Sequence, residues 1–148
     1  AVSGARAFPL LQNLAARIDY SVEETNYTLG LTQLSGELER RSLVVVFTDF
    51  ADSTSAELMI ENIERLLRRH MVLFVVFRDE DLESMADREP VETDDVSRAV
   101  IADALLRERE VVISRLRRMG VEVVDAPAQS AGVSLLNAYL ELKRRNVL

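Results

Sequence analysis

Three aspartates each stand at the end of a short apolar run, and their spacing is the feature of this sequence that could support chemistry. They are Asp49, Asp79 and Asp125. If the apolar runs are parallel strands, the three carboxylates share one edge of a sheet, where open α/β sheets bind their ligands. Aspartate is also frequent in such loops because it caps the next helix, and this structural role is favoured for Asp79 and Asp125.

Asp49 differs from the other two because it has no evident structural task. Asp52, Ser53 and Thr54 are available to cap the helix that follows, which leaves the Asp49 carboxylate for another purpose. Magnesium takes oxygen ligands in octahedral array, usually one or two carboxylates with hydroxyls and water. Thr25, ahead of the second predicted helix, has a hydroxyl for such a site, although spacing alone favours a helix cap.

A catalytic interpretation has less support than a binding site. Residues 49–54 resemble the acid-rich start of a dehalogenase-type phosphatase, but the second aspartate comes one residue too late. Lys143 is the only lysine, and His70, the only histidine, is predicted to lie on the surface. The chain contains no nucleophile elbow, phosphate loop or glycine-rich dinucleotide fingerprint. A binding protein is favoured, and the alternative is a small magnesium-dependent hydrolase that uses Asp49 and Asp79.

Composition limits the classes of protein further. The 148 residues are 48% hydrophobic and 29% charged, which predicts one globular domain over residues 1–148. No apolar run is long enough for a membrane span and no secretory signal is visible, so we expect a cytoplasmic protein. Cysteine is absent, which excludes disulfides and thiol catalysis, and the net charge of −7 disfavours nucleic acid as a partner. Two arginine clusters are expected to complement helix dipoles; they comprise Arg65, Arg68, Arg69, Arg115, Arg117 and Arg118.

The positions of the apolar residues predict the elements that hold the aspartates. Residues 43–47 and 71–77 are apolar without alternation, which is typical of parallel strands buried on both faces and predicts strands over residues 43–50 and 71–77. A third strand is predicted over residues 121–124. Helical spacing predicts helices over residues 9–18, 27–40, 52–69, 96–119 and 130–145, with Gly120 as a helix cap. Residues 82–95 are predicted as a loop with at most one short helical turn. The order α-α-β-α-β-α-β-α predicts an α/β fold with a three-layer parallel sheet and helices on both faces.

Three segments together resemble the bacterial DUF58 family, whose members carry a von Willebrand factor A-like domain. They are ETNY at residues 24–27, RSLVVVFTD at residues 41–49, and NAYLELK at residues 137–143. The last of these is the most specific, and the resemblance spans essentially the whole chain. It implies a Rossmann-like sheet with a metal-ion-dependent adhesion site, in which Thr25 and Asp49 are metal ligands. Four more residues are expected at the rim of that site: Thr48, Asp52, Asp79 and Asp125.

The Asp-x-Ser-x-Ser group of such a site is missing from this sequence. We therefore expect the chain to be the carboxyl-terminal part of the domain, with strands 4, 5 and 6 of the usual order 3-2-1-4-5-6. The magnesium site is then expected to be incomplete, with no cation bound in this part alone. The strand over residues 43–50 becomes an apolar edge, which either pairs with a second copy or is covered by the first helix.

The resemblance also implies a function. Family members are encoded beside MoxR-type AAA+ ATPases and are thought to work with them in protein assembly or metal insertion. The expected role is therefore a metal-dependent protein–protein interaction module, not an enzyme. Longer members carry membrane segments ahead of this region, which would tether the domain at the inner face of the membrane.

Overall fold

The computed structural model describes residues 8–19, 26–49, 53–89 and 91–145, apart from the side chains of residues 11 and 53–55. Their elements, in chain order, are α1 (Phe8–Ala15), α2 (Tyr27–Glu37), β1 (Leu43–Thr48), α3 (Ser53–Leu67), β2 (Met71–Arg78), α4 (Glu80–Asp87), α5 (Thr93–Arg118), β3 (Glu122–Pro127) and α6 (Ala128–Arg144). The predicted elements are all present, and α4 is additional.

The three strands form one parallel sheet in the order β1-β2-β3. One face packs against α2, α3 and α5 through an apolar cluster that includes Val46, Phe74 and Ile113. The other face packs against α6 through a smaller cluster that includes Val75 and Leu142. The predicted α/β fold with a parallel sheet between two helical layers is therefore confirmed.

The strand that is buried on both faces is β2, not β1. Five consecutive residues of β2, 72–76, are buried, whereas burial in β1 alternates along the strand. Phe47 in β1 keeps 53% of its surface exposed, and Phe74 in β2 keeps none. The prediction that this strand is an edge of the sheet is confirmed among the described residues. The prediction that it is buried on both faces is wrong, because α6 covers one face of β1 only partly.

The helix α1 does not cover that edge. Its apolar residues Phe8, Leu10 and Leu14 are all exposed, so the predicted packing of this helix against the sheet is wrong. No strand within the described residues pairs with the free side of β1. The other alternative for the edge, pairing with a second copy, stays a prediction.

The segment between β2 and α5 contains a helix where the sequence predicts mostly loop. Asp79 caps α4 by accepting a hydrogen bond from the Leu82 amide at 2.9 Å. Acidic residues in the first turn, Glu80 and Asp81 among them, stabilise the helix because they lie at the positive end of its dipole. The acidic run is therefore a helix start. Gly120 has a φ of 86° just after α5, which confirms the predicted glycine cap.

Candidate functional site

A shallow cleft of about 410 Å³ lies at the carboxyl edge of the sheet. Its walls come from the ends of β1 and β2, the start of α4 and the start of α6: Asp49, Phe77, Arg78, Asp79, Glu80, Asp81, Ala128 and Gln129. Asp49 and Asp79, predicted from the sequence to share one edge, both line it. Asp125 does not line this cleft.

Asp49 is exposed and makes no hydrogen bond or ion pair among the described residues. Thr48, the residue before it, is buried, and its Oγ1 accepts a hydrogen bond of 2.9 Å from the Tyr27 hydroxyl. This contact holds the start of α2 against the end of β1. Thr48 therefore has a structural contact on the helical face, while Asp49 extends beyond the strand into the cleft. Thr25 and Asp52, the other predicted donors, lie outside the described residues.

The cap of α2 is Asn26, whose Oδ1 accepts a hydrogen bond of 2.9 Å from the Leu29 amide. Spacing alone favours Thr25 for this task, so that assignment is wrong. Asparagine is as good a cap as threonine, and its position one residue later matches the observed helix start. Asp52 lies outside the described residues, and the side chains of Ser53 and Thr54 are not described. Their capping of α3 therefore stays a prediction.

Asp79 and Asp125 have different structural tasks. Asp79 caps α4, as its position after a strand predicts. Asp125 lies inside β3 and forms ion pairs with Arg109 at 2.7 Å and with Arg78 at 3.1 Å. Since the α6 cap position, Pro127, has no side-chain hydrogen bond, the prediction that Asp125 caps the last helix is wrong.

The Arg109–Asp125 pair ties the middle of α5 to the sheet, and sequence reasoning missed Arg109. Its side chain is 12% exposed and that of Asp125 is 16% exposed. The same nitrogen, Nη2, also donates to the carbonyl oxygen of Phe77 in β2 at 3.5 Å, and Nη1 donates to the other Asp125 carboxylate oxygen at 3.5 Å. The available signal was position: Arg109 lies on the helix face that carries Ala102, Ile113 and Leu116, where a charged side chain needs a partner.

The ion pairs of Asp125 with Arg109 and Arg78 predict that the fold loses stability at acidic pH. Burial raises the pKa of Asp125, but hydrogen bonds and charge from Arg109 and then Arg78 outweigh it and hold the pKa below 3.8. A carboxyl whose pKa is lower in the folded than in the unfolded chain stabilises the fold above the unfolded pKa. That stabilisation is lost as the pH falls through the folded pKa. The Asp125→Asn variant should therefore differ most from wild type near neutral pH, and the difference should shrink below about pH 4.

Urea unfolding of wild type and Asp125→Asn at a series of pH values measures this difference directly. The pKa of Asp95 is also lowered, by backbone hydrogen bonds from Glu92 and Val91, but this carboxyl is present in both proteins and cancels in the comparison. A difference in unfolding free energy that is equal at pH 7 and pH 3 would contradict the assignment.

The described residues do not fit a magnesium centre by themselves. Nowhere in the described ranges do three histidine or acidic side chains come together in a way that could hold a metal ion. Four carboxylates line the cleft. Asp79 caps α4 and Glu80 accepts a hydrogen bond from the Gln129 side chain at 3.4 Å, which leaves the exposed Asp49 and Asp81. Since these side chains do not form a group of three that could hold a metal ion, a cation here would need donors from outside these residues.

His70 is buried, with 5% of its surface exposed, which corrects its predicted place on the surface. Among the described residues, neither ring nitrogen has a hydrogen-bond partner, and the same is true of Nε of Arg109. The His70 amide donates to the Leu66 carbonyl oxygen at 2.8 Å, in the tight turn from α3 into β2. The arginines around it in sequence indicate exposure, but this turn places the imidazole inside the fold.

Comparisons with family models, with characterised proteins and with solved structures found no significant match. The helices within the described ranges include none that is both long and apolar enough to cross a membrane.

Proposed function

We propose that the chain is a protein-binding module, the carboxyl-terminal part of a von Willebrand factor A-like domain of the DUF58 type. Its partner in this proposal is a MoxR-type AAA+ ATPase, and its setting is the inner face of the membrane. A divalent cation bound between Asp49 and donors outside the described residues would couple the two proteins. The strand order agrees with the expected 4-5-6 half of such a sheet.

The observation that carries the proposal is Asp49, an exposed carboxylate at the carboxyl end of β1 that lines the cleft and has no hydrogen bond or ion pair among the described residues. A carboxylate at this edge of the sheet can share a divalent cation with a carboxylate of a partner protein. The neighbouring cleft is shallow and lined mainly by charged side chains, whereas small-molecule sites are usually concave and apolar. These features favour recognition of a protein.

The experiment is calorimetric titration of the purified MoxR-type ATPase of the same organism into the complete domain that contains this chain, with magnesium. Asp49→Ala should raise the dissociation constant by about ten-fold or more, which corresponds to about 1.4 kcal/mol. Asp81→Ala is the matched control, because it removes the same charge from the same cleft and is exposed. Equal binding by wild type and Asp49→Ala, or binding that is unaffected by chelator, would contradict the metal-dependent proposal.

A magnesium-dependent hydrolase is the second candidate, favoured by the presence of both Asp49 and Asp79 in the cleft. The cap bond from Leu82 to Asp79 argues against it, since that carboxylate already has a structural task. Hydrolysis of a panel of phosphate esters with magnesium, lost in Asp49→Ala and kept in Asp81→Ala, would support the enzyme. The absence of turnover in wild type would reject it.

A further inference from the structure

The connections at the amino edge of the sheet hold most of the cations of this chain. Each helix that directly precedes a strand ends at this edge, and α6 returns to it, since Arg145 forms an ion pair of 3.9 Å with Glu122 at the start of β3. The two arginine clusters at the ends of α3 and α5 therefore share this edge with Arg40 and Arg41, ahead of β1, and with residues 143–145 at the end of α6. All of these cationic side chains are exposed.

Four segments form this basic edge: residues 34–43, 64–71, 115–122 and 141–145. They contain eleven of the 18 lysines and arginines of the chain but only five of its 25 acidic residues, which gives a net charge of +6. The rest of the chain then carries −13, since the whole chain carries −7. Among the described residues, seven of the eleven cations have no ion pair, and three of the four pairs that the others form are 3.9–4.0 Å long.

Helix dipoles account for only part of this charge. The carboxyl ends of α2, α3, α5 and α6 lie at the basic edge, and each contributes about half a negative charge. These four ends offset about two of the six positive charges, so an excess of about four remains. The dipoles alone therefore do not explain why so many cations are gathered at one edge.

The basic edge does not depend on which strands precede β1. In the expected order 3-2-1-4-5-6, the preceding strands extend the sheet beyond β1, and the amino ends of β1, β2 and β3 keep their place at one end of the domain. Every cation of the basic edge lies in a segment that ends α2, α3, α5 or α6 or leads into one of these three strands. The positive charge is thus a property of the described residues themselves.

The acidic cleft lies at the opposite end of the molecule. The eight residues of β2 separate the two edges by about 23 Å. The Debye length at physiological ionic strength is about 8 Å, so the carboxylates of the cleft are screened from an anionic surface at the basic edge. The net charge of −7 therefore does not prevent this edge from binding a polyanion.

The composition of the basic edge favours a lipid surface over a nucleic acid. Ten of its eleven cations are arginines, whose guanidinium groups bind a phosphate through two parallel hydrogen bonds. Its four segments contain no phenylalanine, tyrosine or tryptophan on which a base could stack. Proteins usually bind nucleic acids with an element that enters a groove or with the amino ends of helices, whereas this edge presents carboxyl ends of helices from both faces of the sheet. Cations spread across three layers match a plane of phosphate headgroups.

We infer that the basic edge binds the surface of a membrane that contains anionic phospholipids. The edge lies against the headgroups, and the cleft that contains Asp49 then faces away from the lipid, where a second protein can reach it. The inference deepens the proposed function, because it rests on the proposed setting at the membrane and specifies which end of the domain faces the lipid.

Sedimentation of the purified protein with lipid vesicles measures this binding. The vesicles contain phosphatidylcholine alone or with about one third phosphatidylglycerol, and only the second kind should bind the protein. Arg68→Gln/Arg69→Gln should weaken the binding about twenty-fold, because each cation near an anionic surface changes the affinity about five-fold. Raising the salt concentration from about 0.1 M to about 0.5 M should release the wild-type protein, since the Debye length becomes shorter.

The matched control is Arg88→Gln/Arg98→Gln, which removes the same charge from two exposed arginines away from the basic edge. Arg98 lies twenty residues before the end of α5, a distance of about 30 Å along the helix. This variant should bind vesicles as tightly as wild type. Circular dichroism checks that both double variants fold.

Fluorescent labels read the orientation on the membrane, because the chain has no cysteine of its own. A bimane label on Met119→Cys, at the basic edge, should be quenched by a nitroxide-labelled lipid. The same label on Gln129→Cys, in the cleft, should not be quenched, because the length of the sheet holds it about 20 Å from the headgroups.

Equal binding to both kinds of vesicle, binding to neither, or equal weakening by the two double variants would overturn the inference. Stronger quenching at Gln129→Cys than at Met119→Cys would also overturn it, as would tighter binding to duplex or single-stranded nucleic acid than to the anionic vesicles at the same salt concentration. The proposed function fails or holds separately, since vesicle binding needs no ATPase. Asp49→Ala should bind vesicles normally, and Arg68→Gln/Arg69→Gln should bind the ATPase normally.

Discussion

Replacement of Asp125 by alanine should lower the free energy of unfolding by about 2–3 kcal/mol, because it leaves a nearly buried guanidinium without its partner. A fully buried pair costs about 3–5 kcal/mol to break, and the partial exposure of Arg78 and Asp125 reduces the effect here. Arg109 connects the middle of α5 to β3, so the loss should also loosen that helix. Urea unfolding followed by circular dichroism measures the change.

The matched control is Asp103→Ala, which removes an aspartate from the Arg107–Asp103 pair on the exposed side of the same helix. Exposed pairs of this kind contribute about 0–1 kcal/mol, so this variant should stay close to wild type. Equal losses in Asp125→Ala and Asp103→Ala would contradict the view that α5 is tied to the sheet through Asp125.

The second large effect concerns the two phenylalanines of the sheet. Phe74→Ala should lower the free energy of unfolding by about 3–5 kcal/mol, because the ring is fully buried in the central strand and its removal leaves a cavity. Phe47→Ala should cost far less, since the Phe47 ring is mostly exposed and stacks on Phe77 at a centroid distance of 6.2 Å. Chemical denaturation of both variants compares the two strands directly.

These variants test the corrected roles of β1 and β2. If β1 were the buried centre of the sheet, Phe47→Ala would be as destabilising as Phe74→Ala. A large loss in Phe47→Ala under dilute conditions would therefore show that something covers this edge within a single chain.

The alternation of strands and helices was predictable because each apolar run is short and each is followed by helical spacing. The bounds of β2 and the end of α5 at Gly120 follow from local signals and agree with the structure. The burial of each strand was not predictable in the same way. The sequences of β1 and β2 are equally apolar, and only the order of the strands determines which one lies in the centre.

The misassigned segments share a second cause, which is that acidic residues have several structural tasks. The run after Arg78 contains four acidic residues in five, which indicates a solvated loop until Asp79 is recognised as a helix cap. Asp125 was expected in a loop that caps the next helix. Its ion-pair partner Arg109 lies in α5, sixteen residues earlier in the chain. Sequence spacing does not reveal contacts made across the layers of a fold.

For the candidate site, the shared edge of Asp49 and Asp79 was predictable from the parallel topology, and both line one cleft. The assignment of Thr25 and Asp49 as metal ligands came from family resemblance and stays a prediction. The hydrogen bond from Tyr27 to Thr48 could not be foreseen, because it joins a helix start to a strand end across 21 residues.

Amide hydrogen exchange in β1, followed by NMR, tests the central claim that this strand is the open edge of the sheet in this chain. Val44 and Val46 bond to β2, so their amides should be protected. The alternate residues Leu43, Val45 and Phe47 point their amides to the free side, so these three amides should exchange rapidly. Equal protection of all five amides would contradict the account, because the edge would then be occupied within one chain.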